Sequence, residues 1–288
     1  MISVISVNEK FQTLEPKKLV NLLIESKYTK GIEICVDPDN KFMMNYMDDL
    51  VNLCKENNIL FQVHGDSSLE IDKQKDYLDL LSRYSKFLGY PINVVMHSLL
   101  SDNTEEEINK SLTYFNELID YVDENKIRIS VENLNDADNL IRLDKEEMLP
   151  IMMSNDKLYM TYDIGHDIAD YGNITDLNPI LIPKLSNVHI HSTSKYYKDG
   201  YDHKPIDDQS DDFEKVLKGI LYLKHISYDG PIVFEYDLYQ CKGDTVEEQV
   251  KSYIYSIDDT TEHIIWHIIC FFVWLSLSIC GSILMFVC

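Results

Sequence analysis

The sequence predicts an α/β protein of the (β/α)8 TIM barrel class, and three observations carry that expectation. Short apolar runs alternate with stretches whose apolar residues recur at helical spacing, the signature of βα units on a parallel sheet. Eight such runs fall within about 255 residues, the length of one closed barrel. No GxGxxG or GxxxxGK[ST] follows the first run, which weakens the alternative of an open doubly wound sheet.

In chain order, strands are expected over 3–6, 31–36, 59–63, 93–96, 128–131, 158–162, 187–190 and 231–234. The opening MISVISVNEKF has no basic n-region and no long apolar core, so it reads as the first strand and not as a signal peptide. Between strands, 14–28 carries Leu19, Leu22 and Leu23 at helical spacing, and 76–88 carries Leu78, Leu81 and Phe87. Residues 105–125 repeat the pattern with Ile108, Leu112, Phe115, Ile119 and Val122, and 211–226 with Phe213, Val216, Leu217 and Ile220.

The barrel domain is therefore placed at 1–257, and the tail is read separately. Residues 268–288, IICFFVWLSLSICGSILMFVC, carry no charge, and about 20 apolar residues span a bilayer core. A buried final helix is the alternative, but it would be apolar on every side. The expectation is a C-terminal transmembrane helix over 264–288 that anchors a cytoplasmic barrel to a membrane, with Trp266 and His267 at the interface. No Lys or Arg follows Lys251, so charge does not orient the span.

Composition narrows the function. The chain has 49 acidic against 26 basic residues, a net charge of −23. Such a surface repels phosphate backbones and argues against a nucleic-acid partner. It suits a small ligand or a metal. Six cysteines occur without CxxC or finger spacing, which argues for reduced thiols and against a structural zinc site. No GxSxG elbow is present, so serine nucleophile chemistry has no support.

The strand ends carry the chemistry. Strand three ends VHGD at His64, strand four MHS at His97, and strand five VEN at Glu132. Strand six gives Asp163 in YDIGH, with His166 just beyond. Strand seven gives His189 and His191 in VHIHS, and strand eight gives Glu235 in FEYD. With a period of two, Ser130 and Glu132 share a face, as do Thr161 and Asp163, Val233 and Glu235, and Val95 and His97. The ionisable residues then point into the mouth at the C-terminal end, where barrel enzymes place their sites. Unpaired carboxylates converging in one cavity are costly, and a bound cation removes that cost.

The series VHGD, MHS, VEN, DIGH, VHIHS, DHKPI and FEYD resembles the xylose-isomerase-like barrel superfamily over about residues 1–257. That group contains sugar and sugar-phosphate isomerases and epimerases, and the endonuclease IV type of abasic-site nuclease (AP endonuclease family 2). For the epimerase branch the resemblance implies one divalent metal (Mn²⁺, Mg²⁺, Co²⁺ or Zn²⁺) on Glu132, Asp163, His189 and Glu235. It further implies proton transfer next to a metal-polarised carbonyl, with Glu132 and Glu235 moving the proton and His166 on a substrate oxygen. For the nuclease branch it implies up to three zinc ions, with His64, His97, His166 and His203 as additional ligands. The family's acid two residues before the last of these is replaced by Tyr201, which puts the third metal in doubt, and the adjacent Asp202 is the candidate ligand in its place.

The expectation is thus a metal-dependent isomerase or epimerase acting on a sugar or sugar phosphate. An endonuclease IV-like zinc phosphodiesterase and a non-catalytic membrane-tethered barrel are the alternatives. His191 is read as either a ligand or an ordinary core histidine. Glu33 and Asp37 either bind substrate or are solvated. His225 is read as structural, His263 and His267 as interfacial, and 196–203 as a loop over the mouth.

Overall fold

The computed structural model describes residues 1–67, 69–99, 104–134, 143–193, 203–206 and 212–287, with side chains described as far as residue 267. Eight strands close into a parallel barrel in sequence order. They are β1 (Ile2–Val7), β2 (Thr29–Cys35), β3 (Leu60–His64), β4 (Ile92–Met96), β5 (Ile127–Glu132), β6 (Tyr159–Asp163), β7 (Leu185–Ile190) and β8 (Pro231–Phe234). β8 pairs back to β1 through Val4↔Val233 and Ile5↔Phe234. Each expected strand is present within a residue or two of its expected limits.

Alternation splits each strand into two environments. Ile32, Ile34, Phe61, Val63, Ile129, Val131, Met160, Tyr162, Val188 and Ile190 are buried in the apolar core under the helices. Their neighbours Glu33, Gln62, Asn93, Ser130, Thr161 and Asn187 face the barrel axis. Bonds between strands that are not neighbours prove it. Gln62 Nε2 donates to Asn187 Oδ1 across the barrel at 3.1 Å, and Ser186 Oγ donates to Asn93 Oδ1 at 3.0 Å. The interior is thus a largely hydrogen-bonded polar layer beneath the mouth, with Glu33 Oε1 left without a hydrogen bond.

The helices are α1 (Pro16–Glu25), α2 (Lys41–Asn57), α3 (Ile71–Leu88), α4 (Thr104–Tyr121), α5 (Leu149–Ser154), α6 (Ile164–Tyr171), α7 (Phe213–His225) and α8 (Val246–Val287). Proline stands in the first turn of α1, where its missing N–H costs nothing. α2 is capped at one end by Asn40, whose side chain accepts from Met43 N at 3.2 Å. It stops at Asn58 in the left-handed region, φ 54°.

The expected transmembrane helix and membrane-anchored location are corrected by the structure. The apolar tail is not an element of its own but continues α8, the eighth barrel helix. The first half of α8 is fixed to the barrel: Val250, Tyr253, Ile254 and Ile257 are buried, and Tyr253 Oη donates to Phe234 O. Asp258 accepts from Ser26 Oγ at 2.7 Å and from the Lys27 and Tyr28 amides at 2.8 and 3.0 Å, clamping α8 to the start of β2. Charged residues, including Glu247 and Lys251, occupy its other face. Over the described residues no helix is long and apolar enough to cross a membrane.

Candidate metal centre

Four strands deliver the central residues. Glu132 ends β5, Asp163 ends β6, His189 lies in β7, and Glu235 follows β8 with its amide donating to Ile190 O at 3.0 Å. One ligand atom from each lies within 4.8 Å of the others. His189 Nδ1 is 3.0 Å from Glu132 Oε1, 3.0 Å from Glu235 Oε2 and 3.9 Å from Asp163 Oδ2. A tetrahedron with metal–ligand bonds of about 2.0–2.1 Å has edges of about 3.3–3.4 Å, within this range.

The donors also show what they lack. Asp163 divides its labour: Oδ1 accepts from His166 N at 2.8 Å and caps α6, while Oδ2 is buried without a hydrogen bond. Glu235 Oε2 is likewise buried and, despite its nearness to His189, makes no hydrogen bond of acceptable geometry. Two bare carboxylate oxygens in a buried cavity are the signature of a place for a cation. The donor set of three carboxylates and one imidazole suits Mn²⁺, Mg²⁺, Co²⁺ or Zn²⁺.

Behind His189 stands a residue the sequence left open. Glu33 is fully buried, and its Oε1 lies 3.0 Å from His189 Nε2. Its Oε2 accepts from Gln62 Nε2 at 2.6 Å and Asn187 Nδ2 at 2.9 Å. Glu33 Oε1 makes no hydrogen bond of acceptable geometry, so Glu33 acts on the ring through its charge, while Asn187 Nδ2 lies 3.1 Å from Nε2 and the Nδ1 side faces the other acids. The period of two that placed Glu132 also puts Glu33 on the inner face of β2, but only the cross-barrel contacts reveal what it touches. Asp37 accepts from Asp39 N within its own turn and plays no such part.

The additional histidines surround this centre. His64 Nε2 and His97 Nε2 lie 3.2 and 3.4 Å from Glu132 Oε2, the oxygen turned away from His189. His64, Glu132 and His189 form a second group able to hold a cation. His166 Nδ1 is 2.9 Å from Asn133 O, and His203 Nε2 is 3.6 Å from Glu235 Oε2. His191 Nε2 is 3.3 Å from Asp163 Oδ1. Asp202, Tyr201 and the loop expected over 196–202 lie outside the described residues. His225 ends α7, and His263 bonds within α8 to Asp259 O at 3.0 Å.

Charge coupling follows from the distances. Burial alone would raise the Glu132 carboxyl, but His189, His64 and His97 outweigh it and hold it well below its ordinary value. Glu235 follows the same pattern through His189 and His203, and Asp163 through His166 and His191. Burial would lower His189, yet Glu33, Glu132 and Glu235 hold it well above its ordinary value. A group of opposed charges poised in this way stands ready to exchange protons for a cation.

A family model described as a xylose isomerase-like TIM barrel matches residues 28–256. The chain belongs to that family. Comparison with curated proteins gives no match. Among solved structures, the D-psicose 3-epimerase of Clostridium cellulolyticum H10, determined with D-tagatose, is 16% identical with a TM-score of 0.60. The alignment covers 92% of this chain and 97% of that one. An AP endonuclease of family 2 from Brucella melitensis is 14% identical at a TM-score of 0.64, covering 86% and 96%. The IolI protein with a bound zinc atom is 17% identical at 0.62, covering 90% and 98%. At these identities the likeness establishes the barrel fold.

Proposed function

We propose that the protein is a metal-dependent isomerase or epimerase of a sugar or sugar phosphate. The observation that carries this reading is the pair Glu132 and Glu235, which arrive from β5 and β8 and each place an oxygen 3.0 Å from His189 Nδ1 at one centre. A divalent cation held by Glu132, Asp163, His189 and Glu235 would supply Lewis acidity to the carbonyl and hydroxyl oxygens of the substrate. Glu132 would remove the proton from the carbon next to the carbonyl, and Glu235, an ionised carboxylate at rest, would return one only after taking it up from water or from the substrate's own hydroxyl. Asp163 and His189 are held still, by the α6 cap and by Glu33, so that the two acids keep their separation. His166, its Nδ1 fixed on Asn133 O, orients a substrate oxygen.

The cleft beside the centre supports a small substrate. It has a volume of about 600 Å³ and is lined by Asp66, Ser67, His97, Ser98, Tyr114 and Leu134, among others. That size is ordinary for a small-molecule site. Ser67 Oγ is buried without a partner among the described residues and is available to a sugar hydroxyl. Among the described residues of the cleft, Lys110 is the one cation beside Asp66 and Glu70, a poor surface for a phosphate backbone. The sugar epimerases among the structural neighbours, one determined with D-tagatose, point the same way.

A second reading, zinc-dependent phosphoester hydrolysis of the endonuclease IV type, is favoured by one observation: His64 and His97 both face the outer oxygen of Glu132. One experiment separates the two. The metal-loaded protein is given a panel of ketoses and their phosphates, followed by NMR, and in parallel a duplex carrying an abasic site. Interconversion of a ketose with an intact duplex supports the isomerase reading. Strand cleavage without turnover of any ketose overturns it.

A further inference from the structure

Asn133, the residue after Glu132, makes three hydrogen bonds that tie two members of the site together. β5 and β6 pair only as far as Glu132↔Thr161, so the ladder stops one residue short of Asn133. The Asn133 side chain carries on where the backbone pairing ends. Its Oδ1 accepts from Asp163 N at 2.8 Å, and its Nδ2 donates to Asp163 O at 3.0 Å. A carboxamide offers one acceptor and one donor side by side, the same pair that a peptide unit presents to a neighbouring strand. The third bond comes from the main chain: Asn133 O accepts from His166 Nδ1 at 2.9 Å.

With the α6 cap these bonds close a triangle. Asn133 holds the Asp163 backbone, Asp163 Oδ1 holds the His166 amide, and the His166 ring returns to Asn133 O. All three residues are buried, so water does not compete for the bonds. The chain beyond Asn133 is fastened as well. Leu134 N donates to Leu143 O at 3.0 Å, and the buried Lys145 donates from Nζ to Asp167 Oδ2 at 2.9 Å, pinning the same segment to α6 one residue past His166.

The consequence is one of aim. With its backbone held from β5 and its Oδ1 spent on the cap, Asp163 has Oδ2 left over, 3.9 Å from His189 Nδ1. A carbonyl only accepts, so the proton of the neutral His166 ring sits on Nδ1 and Nε2 keeps its lone pair. We infer that Asn133 is a positioning residue of the centre: its carboxamide sets the aim of Asp163, and its carbonyl sets the tautomer of His166. The inference rests on the reading of Asp163 as a ligand of the cation.

Mn²⁺ affinity of the full-length protein, measured by calorimetric titration, tests it. Asn133→Leu keeps the branched shape and loses both side-chain bonds. Asn133→Ser is smaller and admits water to the Asp163 backbone, so it remains informative should Asn133→Leu fail to fold. Both are expected to bind Mn²⁺ about 10–100-fold more weakly than wild type. Leu23→Ala in α1, across the barrel from β5 and β6, leaves a cavity far from the site and is expected to bind as wild type does. An equal loss in Leu23→Ala would reduce Asn133 to a general contribution to stability and overturn the proposal. Asp163→Ala is titrated beside them. If it binds Mn²⁺ as wild type does, the reading of the centre fails and takes the proposal with it. If it binds weakly while both Asn133 variants bind normally, the centre stands and the positioning role is overturned. Wild-type protein gives a further readout that needs no variant. Long-range ¹H–¹⁵N spectra of the metal-free protein at alkaline pH are expected to show His166 protonated on Nδ1, and a ring protonated on Nε2 would overturn the part assigned to Asn133 O.

Discussion

The carboxylate centre and the imidazole group of His166, His191 and His203 are neighbours built in opposite ways. Glu132, Asp163 and His189 are buried at strand ends, and His189 is backed by Glu33 and Asn187, which Gln62 ties together. The imidazole group takes only His191 from the end of a strand, and its outermost member, His203, sits on a backbone turned into the left-handed region. The first gains its geometry from the barrel register, Asp163↔His189 and His189↔Val233, and is as rigid as the sheet. The second depends on a helix turn, on Gly165, where a Cβ would run into the His191 ring, and on the short Ser192–Lys204 bridge. Barrels commonly combine a fixed chemical centre with loops that adjust what reaches it.

That contrast can be broken deliberately. The largest effect is expected at Glu132: Glu132→Gln should lower kcat by about 10²–10⁴-fold at saturating metal, with far-UV circular dichroism unchanged. Retained turnover would remove Glu132 from the proton path. Next comes the brace. Glu33→Gln keeps the shape but removes the charge behind His189, and should weaken metal binding by about 10–100-fold in calorimetric titration. Affinity equal to wild type would show that Glu33 only fills the barrel.

Asp163 separates its two roles. Asp163→Asn keeps an oxygen for the α6 cap, whereas Asp163→Ala loses both functions. Both should lose metal affinity, and Asp163→Ala should unfold more easily than Asp163→Asn by about 0.5–2 kcal/mol in denaturant titration. Equal stabilities would mean that the cap contributes nothing.

The smallest expected effect is a proton count. His189 is held above its ordinary value of 6.5, so the metal-free site carries an imidazolium that a cation must displace. Metal binding should release protons and tighten as pH rises through and above that ordinary value, because the competing proton leaves. Calorimetry in buffers of different ionisation enthalpy measures the release. An affinity that is flat with pH would contradict the raised state of His189.

Much of this arrangement was legible in the sequence. A period of two in VEN, YDIGH and FEYD was enough to send Glu132, Asp163 and Glu235 inward, because strand alternation is a local property. The eight strands were legible for the same reason. Glu33 was not, since its meaning lies in bonds to Gln62 on β3 and Asn187 on β7, and no local pattern encodes contacts across a barrel. Nor was the role of Gly165, visible only once the His191 ring is placed against it. α5 and α6 are too short to show helical periodicity. The tail misled because an uncharged run of 21 residues reads as an independent span, whereas here it prolongs a helix already committed to the barrel through Tyr253 and Asp258.

The central claim, that Glu132 and Glu235 move a proton on carbon, is tested most directly by solvent exchange. Metal-loaded protein is incubated in D₂O with the ketoses or ketose phosphates of the panel, and deuterium at the carbon next to the carbonyl is followed by NMR. The account predicts deuterium incorporation at that carbon with wild type and its loss in Glu132→Gln and Glu235→Gln. Epimerised product free of solvent deuterium, or incorporation undiminished in both variants, would contradict it.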